Sequence, residues 1–158
     1  MRALQALFVA LAAAVALTSA AAASPTSTRQ RVQIDLKAFP EKTFALATLQ
    51  SGALKRDSGT LGACTGGGQP VGDVLRNGQE LFLKECRAAE FTGKRGTLVL
   101  RIQIAWAEAG GPYNIATGTW KVVRGTGQYA EVTGSGRIAQ VGAPSRSIAR
   151  YQGYLTSP

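Results

Sequence analysis

The stretch Gly118-Thr119-Trp120-Lys121-Val122-Val123-Arg124-Gly125-Thr126-Gly127-Gln128-Tyr129-Ala130-Glu131-Val132-Thr133-Gly134-Ser135-Gly136 decides the fold class. It sets two strand-like runs on either side of Gly125 and Gly127, with none of the 3.6-residue periodicity of an amphipathic helix. The same pattern recurs outward in both directions. Upstream, Arg31 to Ala38 alternates, with Val32, Ile34, Leu36 and Ala38 on one face and polar residues on the other, as a strand with two unlike faces requires. Thr97 to Trp106 does the same: Leu98, Leu100, Ile102, Ile104 and Trp106 share one face, and Arg101 and Gln103 share the other. Further strands are expected over Thr43 to Gln50, on both sides of the turn-like Arg56-Asp57-Ser58-Gly59, over Gln79 to Phe91, and over Ile115 to Val123, Val132 to Val141 and Ser147 to Leu155. Gly66-Gly67-Gly68-Gln69-Pro70, Asn77-Gly78, Gly93-Lys94-Arg95-Gly96 and Gly110-Gly111-Pro112 punctuate them as loops and turns. About eight or nine short strands at this spacing make a sandwich or a barrel. A barrel hides its edges, and its last strand pairs with its first.

The 158-residue chain has no histidine, two cysteines and a formal net charge of +9. Without histidine there is no Ser-His-Asp or Cys-His catalytic arrangement. With both cysteines expected to bond each other, a zinc or copper site has no ligands to draw on, so no metal and no cofactor is expected. Residues 1–23 read as a secretory signal: Arg2 is its positive start, Ala3 to Leu17 its apolar stretch, and Ala21-Ala22-Ala23 its small-residue cleavage site. That apolar stretch falls short of the ~20 residues that span a bilayer, so the mature protein is not expected to be membrane-spanning. Residues 24–30 read as a flexible leader and 31–158 as one domain, exported to the extracellular space or periplasm. There Cys64 and Cys86, too far apart for a Cys-x-x-Cys redox pair, are expected to form a disulfide. The basic residues are scattered, which suits solubility and indicates no specific nucleic acid partner. A gathering of Lys55, Arg56, Lys94, Arg95 and Arg124 on one face would instead favour an anionic surface polymer.

Gly111-Pro112-Tyr113, then Gly125-Thr126-Gly127-Gln128-Tyr129 and Gly134-Ser135-Gly136, resemble the later part of the allene oxide cyclase barrel family, which is related to dirigent proteins. The likeness continues through Pro144 to Tyr151, Tyr154 and Leu155, about the C-terminal third of the chain. The resemblance implies an all-β, about eight-stranded antiparallel barrel of calycin-like type with a mostly apolar lumen. It implies binding of a small hydrophobic molecule and a cofactor-free cyclase or isomerase activity. A homo-oligomer is an expectation too, although no interface is visible in the pattern. The family's Gly-Pro-Tyr tyrosine corresponds to Tyr113, which the resemblance places in the cavity. The glutamate and asparagine of the cyclases' first-strand region have no match, and Asp35 stands near them in a different pattern.

The remaining chemistry is that of an apolar cavity, where shape and a few hydrogen bonds select one substrate conformation. Candidate catalytic groups are Tyr113, with Glu90 and Arg101 as polar residues inside strand patterns. Candidate ligand-binding residues are Phe44, Phe91, Trp106, Trp120 and Tyr151. Tyr129 is expected to plug the turn on which it sits. A non-catalytic carrier, a dirigent-like steering protein and a binder of an anionic surface polymer stand as alternatives.

Overall fold

The computed structural model of the protein describes residues 27–52, 55–66, 71–74 and 80–158. The expected signal over 1–23, most of the glycine loop at 66–70 and the Asn77-Gly78 turn lie outside the described residues. Nine strands follow one another: β1 (Thr28–Ala38), β2 (Phe44–Ser51), β3 (Lys55–Gly62), β4 (Val71–Val74), β5 (Glu80–Gly93), β6 (Gly96–Gly110), β7 (Tyr113–Gly125), β8 (Thr133–Ala143) and β9 (Arg146–Ser157). Among the described residues a single 3-10 turn, Gly127–Tyr129, connects β7 to β8.

Eight of these strands close into a ring. The hydrogen-bonded order is β3, β2, β1, β9, β8, β7, β6, β5, and β5 pairs back to β3, while β4 adds to the same edge of β5 further along. The ring is two antiparallel meanders, β1–β3 and β5–β9, joined at two seams. The first is wide: β1 and β9 stay in register from Thr28↔Ser157 to Ala38↔Ser147. The second is narrow, because β3 and β5 pair only at Gly59↔Gly93, Thr60↔Thr92 and Leu61↔Phe91.

Alternation selects the inward face throughout. Val32, Ile34 and Leu36 of β1, Ala45, Ala47 and Leu49 of β2, and Leu98, Leu100 and Ile102 of β6 are all buried in one continuous core. Their intervening neighbours face outward, as a half-buried strand dictates, except at the register shift of β6, where Val99 is buried as well. Trp120 is the largest fully buried side chain, and it shares a transverse row with two glycines: Trp120 pairs with Gly136 and Gly136 with Gly153. A methyl group on Gly136 would sit 2.7 Å from the Trp120 indole nitrogen, and one on Gly153 would sit 2.8 Å from its Cζ2. Glycine is required in that wall because the indole lies where a Cβ would be.

The narrow seam is reinforced on both sides. Beyond Leu61, the Cys64–Cys86 disulfide spans it with Cα atoms 5.5 Å apart, and Thr65 and Ala88 exchange backbone hydrogen bonds of 2.9 and 3.1 Å. Before Gly59, the buried Asp57 reaches across: its Oδ1 accepts from the Lys94 N–H at 3.1 Å and its Oδ2 from the Arg95 N–H at 3.2 Å. Asp57 also accepts the Tyr129 hydroxyl at 2.9 Å and its neighbour's Ser58 N–H at 2.8 Å. The Tyr129 ring meets Phe91 edge-on, with centroids 6.0 Å apart, and closes this end of the ring.

Two sequence expectations are corrected here. Arg56-Asp57-Ser58-Gly59 is not a turn but the interior of β3, in ladder with Gln50 to Ala47 of β2. The leader is also shorter than expected, because Thr28, Arg29 and Gln30 pair with Ser157, Thr156 and Leu155 and so belong to β1.

Candidate functional site

The ends of the ring differ because inward side-chain volume differs along the strands. Toward the Tyr129 end the inward positions carry Phe91, Leu98, Trp120 and Leu155, and the space is filled. Toward the opposite end they carry Ala38 on β1, Ala45 on β2 and Ala149 on β9, with Gly62 and Ala63 at the exit of β3. Small residues facing one another leave a pocket of about 230 Å³ at that mouth. Leu36, Leu61 and Tyr151 form its floor and walls, and Gln140 and Ser147 contribute polar groups.

The rim comes from the turn between β1 and β2. Lys42 donates its backbone N–H to Phe39 O at 3.0 Å, which closes the turn after Pro40, and the Ala63 N–H donates to Thr43 O at 2.9 Å, tying the exit of β3 to the start of β2. The Lys42 ammonium lies 4.9 Å from the Phe39 ring centre and 6.0 Å from that of Phe44, so a cation sits on an aromatic rim. Deeper in, burial pushes the Tyr151 hydroxyl up to about 12. That hydroxyl has no hydrogen-bond partner among the described residues. At neutral pH it is a proton donor with a free valence beside an apolar pocket.

The structure distributes the sequence-derived candidates over different places. Tyr151 and Phe44 line the mouth pocket. Phe91 and Trp120 are core residues, fully enclosed by other side chains, and Trp106 stacks on Phe82 with ring centroids 4.2 Å apart. Tyr113 is 53% exposed at the start of β7, on the same face as the exposed Ile115, and it does not reach the interior. That corrects its expected place in the cavity: strand alternation turns this tyrosine outward. Glu90 and Arg101 also face solvent. Glu90 accepts the Thr92 hydroxyl at 3.4 Å, and Arg101 lies 3.9 Å from Glu85 on the outer wall. The three candidate catalytic groups therefore do not assemble within the ring.

Sequence reasoning did not single out Lys42 and Gln140. Lys42 follows Pro40 by two residues, a turn signal that marks a strand end and hence a rim. Gln140 has a subtler signal, a lone amide at an inward position of β8, in step with Ile138. No protein-family model, no curated protein and no solved structure matches this chain. Its reading rests on its own geometry. Among the described residues, no helix is long and apolar enough to cross a membrane.

Proposed function

We propose that the protein is a small antiparallel β-barrel, of the allene oxide cyclase-like kind its glycine motifs resemble, that binds a small, mainly apolar molecule in the mouth lined by Tyr151. The observation that carries this reading is the pocket itself: Ala38, Ala45 and Ala149 leave space at this mouth, beside the Tyr151 ring and the inward Gln140. Its volume of about 230 Å³ is roughly that of eight water molecules, which suits a ligand of about eight heavy atoms. Such a ligand would set its chain against Leu36, Leu61 and Ala149 and its polar end toward Tyr151, Gln140 or the Lys42 ammonium. A carboxylate head group is favoured by that ammonium, which supplies a charge-assisted hydrogen bond at the rim.

The reading is one of binding rather than acid–base catalysis. Among the described residues, the ionisable side chains lining the pocket are Lys42 and Tyr151, and a tyrosine titrating at about 12 is a donor rather than a base at neutral pH. Any rate effect would have to come from holding the ligand in one conformation.

Calorimetric titration with hexanoate, with hexanol as the uncharged control, tests the proposal. Hexanoate is expected to bind, and Ala149→Trp, which fills the pocket, is expected to abolish binding without changing the far-ultraviolet spectrum. Tyr151→Phe should weaken it about fivefold, the loss of one neutral hydrogen bond. Equal binding by Ala149→Trp and the parent protein would refute the mouth as the site.

A further inference from the structure

The outer wall carries a second feature that the mouth pocket does not use. Two depressions, of about 890 and 510 Å³, meet at Ser135, Gly136 and Arg137 and make one trough across the ring. Strand register explains its lining. Gln50 of β2, Gln33 of β1, Gln152 of β9, Arg137 of β8, Thr119 of β7 and Gln103 of β6 are successive cross-strand partners in one transverse row. At ~4.8 Å per strand the row is about 24 Å long. One step nearer the Tyr129 end, a parallel row holds Arg31, Tyr154, Ser135, Lys121 and Arg101.

Three of the four cations lining this trough are uncompensated. Asp35 is occupied by Arg150, whose Nε donates to it at 2.7 Å, and Glu85 lies against Arg101. Arg31, Lys121 and Arg137 have no carboxylate partner among the described residues. The amides are already aligned: Gln152 Nε2 donates to Gln33 Oε1 at 3.3 Å, and Gln33 Nε2 donates to Asp35 Oδ2 at 2.7 Å.

We infer that this trough binds an acidic polysaccharide chain. Its shape is long, shallow and open, which fits a polymer rather than an enclosed small molecule. A row of amides and hydroxyls complements the hydroxyls of a sugar chain, each side chain offering both donor and acceptor. Three unpaired cations beside that row complement carboxylates spaced along the polymer. A single-stranded nucleic acid would require exposed aromatic rings for its bases to stack on. The exposed aromatic in the trough is Tyr154, and the Arg29 guanidinium already covers its ring at 4.0 Å from the centroid. The Cys64–Cys86 disulfide fits the oxidising surroundings outside a cell, where such polymers are found.

Polygalacturonate immobilised on a sensor surface is the probe, with neutral dextran and a single-stranded oligonucleotide as comparisons. Polygalacturonate is expected to retain the protein at low salt and release it as ionic strength rises, while dextran does not retain it. The triple variant R31Q/K121Q/R137Q, substituted only at outward positions, should lose about tenfold or more of that affinity. A variant with Lys94, Arg95 and Arg124 changed to Gln controls for bulk charge at the Tyr129 end and should stay within about twofold of the parent. Gln50→Ala with Gln103→Ala should weaken binding to polygalacturonate and leave binding to inorganic polyphosphate unchanged. No retention on polygalacturonate, equal losses in the two charge variants, or tighter binding of the oligonucleotide would each overturn the assignment.

Discussion

Asp57 is the residue on which the closed end of the ring depends. Burial alone would raise its carboxyl pKa, but hydrogen bonds from the Tyr129 hydroxyl and from the Arg95, Lys94 and Ser58 backbone N–H groups outweigh it and hold the group below the usual carboxylate range. A depressed folded-state pKa means stability that is present above the unfolded value of about 3.9 and lost as pH falls through the folded one. Burial, then the Asp57 carboxylate, pushes Tyr129 above the ordinary tyrosine range, so it remains a hydrogen-bond donor at neutral pH. Asp57→Asn is expected to cost about 2–3 kcal/mol in urea unfolding at pH 7, because it removes the charge that several donors converge on. The gap between variant and parent should narrow in acid, as the parent loses the same interactions. Parallel stability curves from pH 7 down to pH 2 would contradict this role. None of this was legible locally. Arg-Asp-Ser-Gly has the composition of a turn, and the partners that bury Asp57 lie 37, 38 and 72 residues away.

At the level of the strand, legibility was much better. Period-two alternation grouped Leu98 to Trp106 of β6 and Val32 to Ala38 of β1 each on one face, because a residue's side follows from its parity alone. Which face turns inward came from the structure, where Val32, Ile34, Leu36, Leu98, Leu100 and Ile102 are core residues. What parity does not reveal is volume matching between strands. Trp120 needed Gly136 and Gly153 in the next two strands, and a sequence gives no register. The same limit hid the mouth pocket, which exists because Ala38, Ala45 and Ala149 from three strands face one space. Tyr113 shows the converse: its motif pointed to a cavity, and its parity on β7 put it outside. Gly153→Ala is expected to destabilise by roughly 2–3 kcal/mol, since the added methyl meets both the Trp120 ring and the Ser135 carbonyl. The emission of Trp120 should shift to the red as the indole is forced toward solvent. An unshifted spectrum with unchanged stability would show that the wall gives way instead.

For the whole molecule, the decisive feature is the unequal pair of seams. The wide one joins Thr28–Ala38 to Arg146–Ser157 along their length, and the narrow one has three register pairs. Reducing the Cys64–Cys86 bond frees a loop of sequence separation 22, which costs about 3 kcal/mol in the chain-entropy view. Amide exchange should then rise first in β3 and at Phe91 to Gly93, with β8 and β9 still protected. Uniform loss of protection would mean that the ring opens as one unit. The same arrangement bears on how the chain reaches its native state. Within each meander every pairing is a hairpin between consecutive strands, inexpensive in loop entropy. Both seams join residues far apart in sequence, and the wide one recovers the greater share of its closure entropy at once. Two hairpin stacks formed early, docked through the first and last strands and latched only afterwards at Gly59 to Leu61, is the assembly order this topology favours. In that order Cys64 and Cys86 meet only at the last step, so their oxidation sets the latch.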